Sequence, residues 1–406
     1  MILSVSWRNI WRSRTRSLVI MAAIAIGVFA GVYTIAFMLG WVNQRIDAVI
    51  RTEMSHIQLH HNKYLETQEV HDYIPGAVAM AVEISEKTGV KAVSSRILTT
   101  CMIATAETGS GVMLTGVDPE KERKVTNINE LIVDGTYFAE DKANQIILGE
   151  KLAQKLKAGV RSRVVVTLTE MDGTLTGGAF RVAGIYRSAN SAYDEMKAFV
   201  REPDLRRLIG LEEGAAHEIA VLMNENGTEG AFADGLATSY PGKSVMTWTQ
   251  LLPEMALMNE SMNLMMYIFI IIILLALGFG IVNTMLMVIL ERVKELGMLM
   301  AVGMTRLRVF SMIVLETVLL CLTGGIAGIV LALVLTALTA RSGLDLSFWS
   351  EGLNALGFDA VFYPEIGFSQ VLVVAFLVAL TGVISAIYPA RKAIKLKPAE
   401  ALRIDM

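Results

Sequence analysis

The segment ERVKELGMLMAVGMTRLR, residues 291–308, decides how this chain is interpreted. It is charged at both ends, and it separates two apolar runs, residues 264–290 and 310–340. A helix needs roughly 20 apolar residues to cross a bilayer, and both runs are long enough. The segment is therefore predicted to be a short turn at one membrane face, braced by two spanning helices. Its apolar stripe suits the docking of another protein, and it lacks the nucleophile, base or metal ligands of a catalytic site.

The composition indicates a membrane protein. Of the 406 residues, 53% are hydrophobic and 18% are charged, whereas soluble domains average about 25% charged residues. The net charge of -3 argues against nucleic-acid binding. Cys101 and Cys321 lie in regions of different polarity, and we expect no disulfide between them.

Four apolar runs are long enough to span a bilayer. They are residues 18–39, 264–290, 310–340 and 368–387. The first run is too long for the apolar region of a signal peptide, so an uncleaved helix is expected. The predicted fold class is a membrane α-helical protein with four transmembrane helices in a 1+3 layout.

Lys and Arg residues set the predicted orientation, because cytoplasmic flanks of spans carry an excess of them. Residues 1–17 contain four Arg and no acidic residue, and residues 291–308 and the C-terminal tail are also net positive. Residues 40–263 contain more acidic than basic residues. Both termini are therefore predicted to be cytoplasmic.

The long segment between the first two spans predicts a large α/β or α+β extracytoplasmic domain. Strand-like stretches are residues 145–148, 163–169 and 180–186, and helix-like stretches are residues 77–87 and 149–157. The predicted domains are residues 1–40 with the first span, 41–263 outside, and 264–406 with three spans and the tail.

Apolar residues at helical spacing continue beyond the first span and precede the second. One interpretation is a pair of helical stalks that carry motion to the outer domain. The other is ordinary amphipathic packing beneath that domain. Pro253 is expected to kink or begin the second of these helices.

No cofactor or metal site is expected. Pro241 to Ser244 resemble the end of a phosphate-binding loop, but Ala237 stands where the first glycine is required. His56, His60 and His61 have no carboxylate or Cys partner at a useful spacing, so a solvated strand face is predicted rather than a metal centre.

Small residues four apart allow helix backbones to approach closely. Gly27 and Gly31 are predicted to pack against a second membrane subunit, with packing inside this chain as the alternative; Gly324 and Gly328 repeat the spacing. Glu316, early in the third run, is expected at the inner interface or, if inside the bilayer, beside a partner.

A methionine cluster marks the start of the second span. It comprises Met255, Met258, Met262, Met265 and Met266. Methionine adapts to varied apolar partners, so these residues are candidate contacts for an acyl chain or apolar peptide; plain packing is the alternative.

Three features resemble the FtsX-like superfamily of ABC transporter permeases. Residues 291–303 are similar to the family pattern ER-x-x-E-x-G-x-x-x-A-x-G, and Glu316 resembles an acid early in the next span. The tail, from Tyr388-Pro389-Ala390 to Ala401-Leu402-Arg403, is similar to the family's P-A-x-x-A-x-x-x-x-P-x-x-A-L-R ending. The segments 56–58, 147–153 and 193–194 resemble the lipoprotein-releasing branch.

The resemblance implies a non-catalytic bacterial inner-membrane subunit whose coupling helix, residues 291–308, grips a separate cytoplasmic ABC ATPase dimer. The residues expected to mediate coupling are Glu291, Arg292, Glu295, Leu296, Gly297, Leu299, Met300 and Gly303. It also implies pairing with a second, identical or sister permease, and a subdomain inserted at about residues 126–214. The expected cargo is a lipoprotein or another lipophilic envelope component.

Two other functions stay open at this level. One is efflux of drugs or peptides with an adaptor and an outer-membrane channel. The other is a signalling permease of the cell-division type that activates an external hydrolase; members of that type generally have a smaller outer domain.

Overall fold

The computed structural model describes residues 2–12, 14–139 and 142–395. The chain divides into two compact units. The helical unit contains Met1–Val42, Asn259–Asp345 and Phe362–Met406, and the sheet unit contains Asn43–Met258 and Leu346–Val361.

In the described residues the helical elements are fifteen α-helices, one π-helix and one 3₁₀ turn. They are α1 (Ile2–Arg12), α2 (Arg14–Ala48), a π-helix (Val49–Met54), α3 (Tyr64–Thr67), α4 (Ala77–Ser85), α5 (Pro119–Val125), α6 (Glu150–Leu156), α7 (Ser191–Met196), α8 (Glu202–Ile209), α9 (Glu229–Ser239), α10 (Trp248–Leu251), α11 (Pro253–Glu291), α12 (Val293–Ala301), α13 (Arg306–Ser342), a 3₁₀ turn (Ser347–Trp349), α14 (Ser350–Ala355) and α15 (Phe368–Ile394).

Ten strands belong to the main sheet, and two very short strands follow. They are β1 (Ile57–His61), β2 (Val90–Ala104), β3 (Gly109–Val117), β4 (Ile132–Gly135), β5 (Gln145–Gly149), β6 (Arg163–Thr169), β7 (Leu175–Tyr186), β8 (Lys197–Arg201), β9 (Glu218–Met223), β10 (Lys243–Thr247), β11 (Leu344–Asp345) and β12 (Val361–Phe362).

Four helical segments are long and apolar enough to cross a membrane: Arg14–Met54, Pro253–Glu291, Arg306–Ser342 and Phe368–Ile394. Each contains one of the four predicted apolar runs, so the prediction of four apolar helices is confirmed. The first two segments extend well beyond their apolar runs, and Pro253 begins α11 rather than kinking it. The missing N–H of proline costs nothing at a helix start.

Glycines bring α13 close to α2 inside the helical unit. A Cβ added to Gly324 would lie 2.8 Å from the carbonyl oxygen of Met21, and one added to Gly328 would lie 2.5 Å from that of Ala25. Only glycine fits at such a distance between two backbones, which is the use predicted for small residues at this spacing.

The sheet unit is built on a mixed sheet with the strand order β10-β1-β9-β2-β3-β8-β5-β7-β4, while β6 pairs with β2 and β7. The β3–β8 and β5–β7 pairs are parallel. The predicted strands are found in β5, β6 and β7, and the predicted helices in α4 and α6, so these predictions are confirmed. Helices alternate with strands along the chain, and the unit is an α/β domain.

The prediction of a solvated strand face around the histidines was wrong. His56 and His60 are buried within the sheet unit. β1 lies between β10 and β9, and the ring of Tyr64 stacks on that of His60. His60 contacts the carbonyl oxygen of His217 (3.1 Å) and the Gln58 side chain (3.0 Å). Burial lowers its pKa, although Glu218 opposes that shift. Among the described residues, no three His, Cys, Asp or Glu side chains form a candidate metal site.

Candidate functional site

The segment 291–308 folds as a short helix between two long ones. Glu291 ends α11, α12 follows, and Arg306 begins α13. Gly303, two residues after the end of α12, has φ +104°, a backbone conformation that residues with a Cβ rarely adopt. The backbone N–H of Met304 donates to the carbonyl oxygen of Leu299 at 3.0 Å, which closes the helix end.

Arg292 lies at the centre of a group of ion pairs in the helical unit. Its guanidinium donates to Glu295 at 3.2 Å and to both carboxylate oxygens of Glu316 at 3.0 and 3.1 Å. The carboxylate of Glu316 is buried. A buried charge is costly unless it is paired, and Arg292 supplies the cationic partner. The sequence did not reveal this pairing, because Arg292 caps the start of α12 whereas Glu316 lies 24 positions later on α13.

Two arginines that precede the first span complete this group. Arg12 pairs with Glu295, and Arg16 pairs with Glu291. They surround a polar cavity of about 210 Å³ together with Arg292 and Glu316. In the sequence these arginines indicated only the orientation of the chain. The fold shows that they are also ion-pair partners of the segment 291–308.

Most of the residues predicted to mediate coupling contact other parts of this chain and do not form an exposed docking surface. Glu291, Arg292 and Glu295 all have partners within the chain. The apolar residues mainly face inward: Leu296 and Gly297 are buried, and Leu299 and Met300 pack against the core of the helical unit. The large apolar side chains that α12 and its end present outward are those of Met298, 56% exposed, and Val302, 84% exposed.

Gly27 and Gly31 face α11 of the same chain. A Cβ on Gly27 would lie 3.6 Å from Leu277, and one on Gly31 would lie 3.4 Å from Ile273. Both distances are ordinary contacts, so these glycines have neighbours within the chain, and their packing against a second membrane subunit stays a prediction. The groove between the two helices contains an apolar cavity of about 400 Å³.

The methionine cluster is divided between the two units. Met255 packs in the sheet unit beside Trp248, whereas Met266 packs in the core of the helical unit. Met265 is 52% exposed, and Met258 and Met262 are half-buried.

The π-helix that follows α2 is a strained joint within the sheet unit. Ser55 ends it with φ 68° and ψ 176°, a combination found almost only at glycine and costing about 1–3 kcal/mol. Surrounding residues hold the joint: Tyr193 donates to the carbonyl oxygen of Thr52 (2.8 Å), the Asn127 N–H to that of Arg51 (3.0 Å), and Arg45 to the carboxylate of Glu53 (2.6 Å).

Two sequence segments singled out by the resemblance meet beside this joint. Gly149 lies against the backbone of Asp194 so closely that any Cβ would overlap it. Burial raises the pKa of Asp194 to about 6, although its carboxylate accepts hydrogen bonds from the N–H and hydroxyl of Ser188. Segments 147–153 and 193–194 are thus neighbours in space.

A buried ion triad lies in the sheet. Arg96 on β2 donates to Glu218 on β9 at 2.6 Å and to Glu122 on α5 at 2.7 and 3.1 Å. All three side chains are almost completely buried. Burial alone would raise the pKa of Glu218, but Arg96 and His60 hold it below its ordinary value.

Part of the resembling tail is described by the structure. Pro389, Ala390 and Ala393 are buried in α15. Pro398, and Ala401 to Arg403, lie outside the described residues.

Two family models match the chain. The MacB-like periplasmic core domain matches residues 17–238, and the FtsX-like permease C-terminal region matches residues 267–398. The lipoprotein-releasing system transmembrane protein LolC of Haemophilus influenzae is 24% identical over 94% of this chain and 92% of that protein. The macrolide export ATP-binding/permease protein MacB of Escherichia coli K12 is 34% identical over 171 residues, 41% of this chain and 24% of that protein.

A solved structure is also similar, at a level too low to support an argument. The periplasmic region of MacB from Actinobacillus actinomycetemcomitans matches with a TM-score of 0.36 and 11% identity, covering 52% of this chain and 98% of that structure.

The periplasmic-core model spans more than half of the chain, and the permease model overlaps the last three candidate spans. The coupling-segment residues on which the resemblance rests lie inside the permease match. The chain therefore belongs to the FtsX-like superfamily of ABC transporter permeases, of the macrolide-efflux and lipoprotein-releasing type.

Proposed function

We propose that this permease relays ATP-driven motion from a separate cytoplasmic ATPase dimer to an extracytoplasmic α/β domain. The observation that carries the proposal is α12, a short helix fixed between α11 and α13 with Met298 and Val302 directed outward. Such a helix transmits a push, because its ends cannot move without the two long helices. In this proposal the spans have a 1+3 layout, both termini are cytoplasmic, and the chain itself hydrolyses no ATP.

The proposed path of the motion uses continuous helices. Arg292 links α12 to α13 through its ion pair with Glu316. The chain of α2 and of α11 passes from one unit into the other, so a displacement of either helix is carried by hydrogen-bonded backbone. The strained joint at Val49–Met54 is where α2 meets β1, which makes it the proposed point of conversion into movement of the sheet.

We further propose residues 126–214 as an inserted subdomain, which contains β4 to β8 and α6 to α8. The cargo is a lipoprotein or another lipophilic envelope component, and a second permease completes the complex. The similarity to a lipoprotein-releasing protein along 94% of the chain supports this cargo class. The exposed Met265 remains a proposed contact for its apolar part.

Efflux is the second candidate function. The identity of 34% to the macrolide exporter over 171 residues favours it. Purification of the native complex distinguishes the two: bound lipoprotein supports release, whereas an adaptor and a channel protein support efflux.

The docking surface is tested by Met298→Glu together with Val302→Glu. Charges on an apolar contact surface are expected to reduce cargo-stimulated ATP hydrolysis by the assembled complex about tenfold or more. Co-purification of the ATPase is expected to fall in parallel. The matched control is Val82→Glu, an apolar side chain 51% exposed on α4 of the sheet unit.

Wild-type hydrolysis and wild-type co-purification in the double variant would contradict docking at α12. Equal losses in the Val82→Glu control would also contradict it, since the effect would then not depend on the coupling segment.

A further inference from the structure

The first helix has two different faces, and one of them is fixed to α13. The hydroxyl of Ser6 donates to the carbonyl oxygen of Met312 at 3.3 Å, and Ile10 is 2% exposed in the core of the helical unit. The hydroxyl of Ser17 donates to the carbonyl oxygen of Ile10 at 2.6 Å and ties the end of α1 to the start of α2. This helix is therefore part of the helical unit.

The opposite face of α1 combines aromatic and cationic side chains. Trp7 and Trp11 are each 43% exposed, one turn apart, with their rings edge to face at 6.0 Å. Arg8, next to Trp7, is exposed, and so is Arg14 at the start of α2. Within the described ranges, neither of these two arginines has an ion pair, unlike Arg12 and Arg16.

An aromatic and cationic face of this kind fits one surface, the headgroup region of an anionic bilayer. Tryptophan concentrates at the membrane–water interface, where its ring is apolar and its N–H is polar. Each Arg close to an anionic leaflet strengthens the attraction about fivefold. An amphipathic helix with these two residue types lies in the plane of the interface. Placement directly before the first candidate span puts α1 within reach of such headgroups.

We propose that α1 and the start of α2 bind anionic phospholipid headgroups through Arg8 and Arg14, with Trp7 and Trp11 of α1 inserted between the lipids. Arg12 and Arg16 use their charges on Glu295 and Glu291, so the same short stretch also holds the coupling segment. Lipid-bound α1 thus anchors α12 to the membrane surface. The lipid contact stands on the geometry of α1, whereas its consequence for coupling rests on the proposed function.

The contact is tested with the full chain in nanodiscs that contain phosphatidylglycerol and phosphatidylcholine, with bromine on the acyl chains of one lipid or the other. Quenching of the fluorescence of Trp7 and Trp11 by bromine is obtained by subtracting the signal of a Trp7→Phe, Trp11→Phe variant. Brominated phosphatidylglycerol is expected to quench more strongly than brominated phosphatidylcholine. High salt is expected to reduce the difference, because it screens exposed charges.

Arg8→Gln with Arg14→Gln is expected to make the two lipids quench equally. The matched control, Arg306→Gln with Arg308→Gln, removes two exposed arginines at the other end of the coupling segment and is expected to keep the preference. Equal quenching by both lipids in the wild type would overturn the proposal, and so would equal loss in both variants. Absence of quenching by either lipid would also overturn the proposal, because Trp7 and Trp11 would then lie away from the acyl chains.

The consequence for coupling has a separate test. Cargo-stimulated ATP hydrolysis by the assembled complex is expected to rise with the phosphatidylglycerol content for the wild type and to stay flat for Arg8→Gln, Arg14→Gln. A flat wild-type response would overturn the anchoring role while the quenching result stands. A complex without any cargo-stimulated hydrolysis would overturn the proposed function, and it would leave the lipid contact intact.

Discussion

The sheet unit and the helical unit each contain a group of ion pairs, and the two groups differ in their access to water. In the sheet unit the Arg96 side chain is 4% exposed, with Glu122 at 1% and Glu218 at 5%. In the helical unit Arg16 is 34% and Glu291 39% exposed. Two charges excluded from water cannot exchange partners without a large desolvation cost, whereas exposed charges exchange them at little cost.

The difference indicates different uses for the same chemistry. The sheet triad joins β2, β9 and α5 into a fixed framework. The group around Arg292 lies beside the segment proposed to contact an ATPase. Ion pairs that break and re-form at little cost are an advantage there, because they allow that segment to move. Only Glu316, with its side chain 7% exposed, resembles the sheet triad in its burial.

The largest expected effect comes from Arg96→Met. The variant leaves Glu122 and Glu218 buried without their cation, and we expect a loss of about 3–5 kcal/mol in the free energy of unfolding. Denaturant unfolding of the full chain in detergent, with hydrogen exchange of β2 and β9, measures it. The control is Arg187→Met, whose exposed pair with Glu150 is worth less than about 1 kcal/mol. Equal effects of the two variants would remove the distinction between buried and exposed pairs.

An intermediate effect is expected at Asp194, a buried carboxyl with hydrogen-bond donors but, in the part of the chain that the structure describes, no cationic partner. Its folded pKa of about 6 lies above the ordinary 3.8, so the folded chain binds the proton more tightly. The resulting stabilisation is complete below about pH 4. It is lost as the pH rises to 6, by roughly 1–3 kcal/mol.

The measurement is the melting temperature of the wild type and of Asp194→Asn between pH 4 and 7. The difference between the two proteins should change with pH in the stated direction. A constant difference would show that this carboxyl titrates normally in the folded chain.

The smallest expected effect comes from Arg16→Gln in the helical unit. Loss of the exposed pair with Glu291 should cost less than about 1 kcal/mol, and the cost should disappear near 1 M salt, where the Debye length is about 3 Å. Thermal unfolding of the full chain at low and high salt measures both. A salt-independent loss as large as that of Arg96→Met would contradict the difference between the buried ion pairs of the sheet unit and the exposed ones of the helical unit.

The sequence predicted helices and strands better than it predicted which side chains would be buried. Apolar runs and periodicities predicted the four long helices and strands such as Arg163–Thr169, because these signals are local. The alternation of polar and apolar residues around His56 and His60 correctly indicated a strand. It wrongly suggested that the face with the two histidines is exposed to solvent. A central strand of a covered sheet is enclosed on both faces, and no local pattern shows which strands will be its neighbours.

The glycine pairs demonstrate the same limit. Gly27 and Gly31 have the same spacing as Gly324 and Gly328, yet only the second pair brings two backbones into close contact. Spacing places small residues on one helix face, while the distance to the next helix depends on every side chain along the contact.

The amino-acid sequence by itself determined the four apolar helices, the strand-rich domain between the first two and the charged segment 291–308. These follow from hydrophobicity and periodicity within a few turns of chain. Only the tertiary structure decided that Arg12 and Arg16 pair with the segment 291–308, that Arg292 neutralises Glu316 and that Leu296 faces inward. Charges and apolar side chains find their partners through the packing of distant elements, and that packing is a property of the whole chain.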